Sequence, residues 1–383
     1  MKFLVLVIHL IVCSPLWACM WDTDTLRDEY GKNRTVYDLI VGQFPHHGTK
    51  YYEARVKLLL GKDRLTVLEQ HDLGVGYVRL GDFDRAKVVF HSLHDDHPDS
   101  YEVNSNLGVM YKKMGDFEKA YHFIKRALEI KPEGHMGLGD WYLKRIEYEL
   151  REEDSEILNF LGMKYLEDED IYKYDKNFIF DDSMKMIRRG LIEISNDEVN
   201  MMLERVRLLI HNDYKFADAY VVLGDLLMRR GDKHMAVRSF MRAKQLGHNQ
   251  TDIIDERINE IHEHWADIQS GYGGFVYDKN KEELWSDFKI ELEKVNGWSE
   301  AFEKEESKLV AEGSFPSFEE TLSKMSMKKI EPVGTAFFEK GFLMRVANRP
   351  FVIFFGCIFL IVIMWFRGWL KERRKRANQA CPT

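Results

Sequence analysis

Hydrophobic positions recur along the chain with helical spacing. Residues 251–267 place Ile253, Ile254, Ile258, Ile261 and Trp265 on one side of a helix. Residues 279–311 carry Trp285, Phe288, Leu292, Trp298, Phe302 and Leu309 in the same manner, against an acidic polar face. Residues 49–60 and 64–79 predict two further helices. No alternating apolar and polar run of strand type stands out, so the predicted fold class is all-α.

A longer period lies over this pattern. Leu73-Gly74-x-x-Tyr77 matches Leu107-Gly108-x-x-Tyr111, and Gly81-Asp82-Phe83 matches Gly115-Asp116-Phe117. Ala86 matches Ala120 and Pro98 matches Pro132, every offset being 34. A third copy runs through Tyr220, Leu223-Gly224, Gly231-Asp232, Ala236, Phe240 and Ala243. This resembles the tetratricopeptide repeat: a helix, a Gly-containing turn and a second helix. The resemblance implies that small residues let the paired helices approach and that neighbouring units stack into a superhelix with a concave groove.

The copies are unevenly spaced. Leu107 and Leu223 are 116 residues apart, which is not a multiple of 34. A degenerate unit fits before the third copy, with Gly190 in the place of Gly224, and Val206 and Leu209 in those of Phe240 and Ala243. The expected organisation is an N-terminal segment and helix at 19–62, a first repeat cluster with a capping helix at 63–150, and a connector at 151–180. A second cluster follows at 181–249, then amphipathic helices and a juxtamembrane segment at 250–349. One continuous solenoid with a decayed central repeat is the other reading.

The two ends change the picture. Residues 3–12, FLVLVIHLIV, follow a lone Lys2 and form the apolar stretch of an export signal over 1–18. Leu16-Trp17-Ala18-Cys19 resembles a bacterial lipobox, which would make Cys19 a lipidated N-terminus; ordinary cleavage and an uncleaved anchor are the alternatives. Residues 351–366 carry no charge, and 350–370 reach the roughly 20 residues that span a bilayer. A transmembrane helix is therefore expected there, with a buried core helix as the other reading. Lys371 and the basic residues to Arg376 place the tail 371–383 in the cytoplasm and the body outside it. Lys2 and the net +5 of 367–376 leave the rest of the chain at −14, out of a total of −8. So acidic a body is a poor match for a phosphate backbone, and no nucleic-acid partner is expected. Residues 20–356 hold no Cys, so packing rather than disulfides must stabilise the exported part.

Cys19-Met20-Trp21-Asp22-x-Asp24-Thr25-Leu26 opens the exported part. It resembles the start of an uncharacterised family of exported bacterial tetratricopeptide-repeat proteins, a resemblance that implies no activity. Asp22 and Asp24 are candidate caps of a helix near Thr25, or with Glu29 a divalent-cation site. His91, His94 and His97 are a second candidate metal cluster, read instead as the polar end of a repeat's second helix. His46 and His47 read as cap or surface. No nucleophile elbow, phosphate loop or dinucleotide fingerprint is present, and neither an enzyme nor a cofactor is expected. A protein or peptide partner is expected in the groove. The repeat's register assigns the groove His71, Arg79, Asn106, Lys112, Lys113 and Arg229. Asn106 resembles the groove Asn that clamps a peptide backbone in this fold. Val75 and His71 replace the Asn and Lys of the chaperone-binding clamp, so a chaperone tail is not the expected ligand.

Overall fold

The structure, a computed structural model, describes residues 20, 22–23, 35–134, 137–151, 159–163, 196–230, 232–259, 261, 281–326 and 330–333. The export signal with Cys19, Gly190, Asp24, Glu29, most of the connector, the span 350–370 and the tail 371–383 lie outside the described residues. The chain divides into two units, Met1–Ile330 and Glu331–Thr383. Every helix below belongs to the first. Among the described residues there is no strand, and no helix is long and apolar enough to cross a membrane.

Each repeat folds as the sequence dictates. The first pairs α3 (Val67–Arg79) with α4 (Phe83–Asp96), the second α5 (Tyr101–Met114) with α6 (Phe117–Ile130). The third pairs α9 (Ala217–Arg230) with α10 (Lys233–Gln245). Gly81 and Gly115 turn the chain at φ 76° and 80°, a left-handed conformation that other residues adopt only with strain. Asp82, Asp116 and Asp232 then cap the second helices, each carboxylate accepting from the backbone N–H three residues on. Gly74, Gly108 and Gly224 mark the closest approach. A Cβ on any of them would stand 2.6 Å from Phe90, Ile124 or Phe240. The 34-residue spacing of small and aromatic residues is thus a spacing of contacts.

Other helices complete the stacks. α2 (Thr49–Leu60) packs on α3, with Val56 against Gly76. α7 (Gly139–Glu149) covers α6, and its buried Trp141, Tyr142 and Ile146 close that end. α8 (Asn196–Asn212) packs on α9 through the buried Val206, Leu209 and Ile210. The clusters are bridged by Asp213, which accepts from Lys112 of α5 at 2.8 Å and pairs with Arg145 of α7 at 3.2 Å. Phe160, from the described part of the connector, sits between Trp141 and Phe216.

Two elements cross this order. α1 (Val36–Val41), with a Thr35/Asp38 capping box, packs against α8 and α10 of the second cluster. Tyr220 donates its hydroxyl to the Leu39 carbonyl at 3.3 Å. The N-terminal segment is therefore shared between clusters: α1 goes to the second and α2 to the first. α11 (Lys281–Ala311), about 46 Å long at the usual helical rise, touches α1, α2, α10 and α12 (Phe318–Lys324). Its buried stripe is Leu284, Phe288, Glu291, Val295, Trp298, Phe302, Glu306 and Leu309. Trp285 and Leu292, expected in that stripe, are half-buried. Spacings of three and four residues keep the stripe on one face. Its two glutamates have partners on other elements. Arg238 of α10 grips Glu291 with two N–H groups at 2.9 and 3.1 Å. Glu306 lies 2.5 Å from His47 Nδ1 and accepts from the Gly48 backbone at 2.8 Å.

Glycine substitutions should separate close packing from backbone entropy. Gly224→Val should destabilise by about 1–3 kcal/mol, because the branched side chain enters the Phe240 ring. Gly297, inside α11, has nothing within 4 Å of an added Cβ. Gly297→Ala should stabilise by about 0.5–1 kcal/mol. Urea unfolding of both variants measures the two effects.

Candidate binding groove

The groove residues predicted from the repeat register come from the first helices of the hairpins. Folding places them unequally. His71 on α3 and Asn106 on α5 meet in the interior, with 1% and 0% of their surfaces exposed. The Asn106 amide donates to His71 Nδ1 at 3.0 Å. Burial pulls the His71 pKa down to about 4, so the ring is neutral, its second nitrogen carrying the proton. Neither residue is available to a peptide without opening this interior. The sequence expectation of two groove contacts is corrected to one internal pair. Neighbouring register positions Val75, Ser105, Val109 and Val221 are buried as well.

Lys112 is likewise engaged, by Asp213. Burial pushes the Asp213 carboxyl up, but Lys112 and Arg145 outweigh it and hold the pKa at about 2. The expected ligand-binding cation is a bridge between the clusters. Arg79 is half-buried, its guanidinium 5.8 Å from the Tyr52 ring centre. Arg229 is half-buried and Lys113 is exposed. Of the six predicted residues, these three are the ones with more than slight exposure.

The residue that does clamp a backbone is one the register singles out only in retrospect. Asp72 stands 34 residues before Asn106, in the same repeat position. It accepts from Thr23 N at 2.8 Å and Thr23 Oγ1 at 2.9 Å, while Arg55 donates to it at 2.9 Å. Met20 and Asp22, next to Thr23 in the chain, are buried. The segment around Thr23 is thus held against α3. The signal was present in the period, but nothing local names Thr23 as the ligand.

The metal candidates separate. His91 Nε2 lies 2.8 Å from the Tyr111 hydroxyl, His94 packs edge-on to Phe123 and His97 ends α4. Burial and the neighbouring His94 lower the His91 pKa. No group of three or more His, Cys, Asp or Glu is placed to hold a metal among the described residues. His46 and His47, expected at the surface, are drawn inward: His46 stacks on Tyr214, and His47 stacks on Tyr51 at 3.8 Å beside Glu306.

Two measurements follow from these pairs. His71 titrates near 6.5 in the unfolded chain and near 4 when folded. Its contribution is complete above pH 6.5 and is lost as pH falls through 4, a change of about 3 kcal/mol. His71→Gln should flatten the pH dependence of the melting temperature over that window. Lys112→Glu puts like charge against Asp213 and should cost about 3 kcal/mol or more. Lys113→Glu, at an exposed position whose charge also helps hold Asp213 ionised, should cost less than the Lys112 reversal. Chemical denaturation of the two charge reversals distinguishes bridge from surface.

The sequence patterns of known families agree with this geometry. Tetratricopeptide-repeat patterns match residues 71–100, 101–133 and 217–246. These are the α3/α4, α5/α6 and α9/α10 hairpins. No curated protein matches the chain. The repeat period, the glycine-mediated helix contacts and the three matches converge: residues 71–133 and 217–246 are tetratricopeptide repeats.

Proposed function

We propose that the protein is an exported, membrane-anchored scaffold or assembly factor that binds other proteins at the cell envelope. The carrying observation is the set of three tetratricopeptide hairpins, since stacked repeats present extended surface for partners rather than a closed reactive pocket. The apolar stretch 3–12, the Cys19 lipobox and the uncharged 351–366 with its basic flank support export with anchoring. In this reading the body faces outward, the tail 371–383 faces the cytoplasm, and Cys19 carries lipid.

A partner would meet Lys113, Arg79 and Arg229 rather than the interior pair His71 and Asn106. Charge on an acidic body steers partners and excludes others. A structural spacer is the second reading, favoured by the internal engagement of Lys112, His71 and Asn106.

Thiol labelling of intact cells should miss Cys381, and intact-mass analysis should find an acylated Cys19. Crosslinking in membranes should retain a protein partner that Lys113→Glu with Arg229→Glu weakens. Labelling of Cys381 from outside would overturn the topology. A partner unaffected by the double reversal moves the contact to another surface, and an absence of any partner leaves the spacer.

A further inference from the structure

The concave face that the repeat register predicts for the first cluster is closed. His71, Val75 and Val78 of α3 and Ser105, Asn106 and Val109 of α5 are each no more than 4% exposed. Asp72, also 4% exposed, stands three residues before Val75, a spacing that makes the two neighbours on one side of α3. A stack of hairpins ordinarily offers such a face to a partner.

What the Asp72 carboxylate holds instead is the chain itself. Thr23 donates its main-chain N–H to one oxygen at 2.8 Å and its hydroxyl to the other at 2.9 Å. Arg55 of α2 donates to the second oxygen at 2.9 Å and balances its charge, so the acceptor is held in place from a neighbouring helix. Neither Thr23 bond is particular to this segment. Any segment that offers a main-chain N–H and a Ser or Thr hydroxyl at one residue can make both. The advantage of Thr23 is its tether: α1 begins at Val36 and is seated on the second cluster. An occupant tied this closely competes at an effective concentration of about millimolar, which a partner arriving from solution has to overcome.

We propose that the segment around Thr23 is a built-in occupant of the first cluster's groove, and that the partner of this groove is a protein segment bearing Ser or Thr that displaces it from Asp72. The inference rests on the protein-binding reading above and adds its regulation: the groove is masked until its own occupant leaves.

The test uses the full-length protein in detergent micelles and a fluorescein-labelled peptide of residues 20–26, MWDTDTL, read by fluorescence anisotropy. The protein variant is Thr23→Pro, which loses both donors and leaves Asp72 and Arg55 in place. Circular dichroism checks its fold. The proposal expects Thr23→Pro to bind the peptide at least about tenfold more tightly than the unaltered chain, since a tethered competitor has been removed. Adding Asp72→Ala should abolish that gain. A peptide with Val in place of its Thr23 residue, lacking the hydroxyl, should bind the variant more weakly. A folded Thr23→Pro protein without the gain overturns the proposal, as does a gain that survives Asp72→Ala, because the peptide then sits elsewhere. Equal binding of the Val peptide overturns the Ser or Thr requirement. Should Thr23→Pro fail to fold, Thr23→Val, which keeps the N–H and the shape, takes its place with a smaller gain expected. If that variant also unfolds or gains nothing, the segment is a fixed part of the fold and the proposal falls. The probe is the chain's own segment, so none of these failures touches the crosslinking result at Lys113 and Arg229.

Discussion

The Glu306 carboxylate is the tie on which the described arrangement depends. It is buried on α11 and receives His47 and the Gly48 backbone from 259 and 258 residues away. A stack of helical hairpins leaves an apolar face at each end, and those faces need cover. α11 supplies cover across α1, α2 and α10 with one continuous stripe. Apolar contacts alone would fix the depth of that helix but not its position along its own axis. Two carboxylates, Glu291 on Arg238 and Glu306 on His47, set the register at two points. Such pairs are costly to bury and costlier to break, since the surviving member would be left without a partner.

The same logic extends inward. His71 with Asn106, and Lys112 with Arg145 and Asp213, place polar groups where a partner's groove was expected. Each has a partner on another part of the chain, which makes the contact between repeats specific as well as close.

The hairpins were legible because each is written locally. Gly74, Phe90 and Ala86 lie within one repeat, and Gly108, Ile124 and Ala120 take the same places 34 residues on. Even the capping aspartates Asp82 and Asp116 follow their turn glycines directly. The ends of the domain were less legible. A hydrophobic pattern located α11 but not the role of Glu291 and Glu306, whose acidic character read as solvent-facing. His47 carries no local mark of its partner. Lys112 and Asp213 are 101 residues apart, and Thr23 and Asp72 are 49 apart. Which of the register's positions the chain itself covers depends on such distant pairs.

The placement of α1 bears on the order in which the chain can fold. α1 is made early, yet its neighbours are α8, α10 and α11, and its Leu39 carbonyl waits for Tyr220, 181 residues later. The hairpins of the first cluster need only nearby residues and can close quickly. α1 must stay unsatisfied until the second cluster has emerged, and His47 until α11 has. The loop-closure cost of these contacts is met last. A chain interrupted before α11 therefore keeps intact repeats while leaving the apolar face of α1 uncovered, a species prone to aggregation. Among the described helices, the first in the chain is thus one of the last to be locked, because it waits for α11.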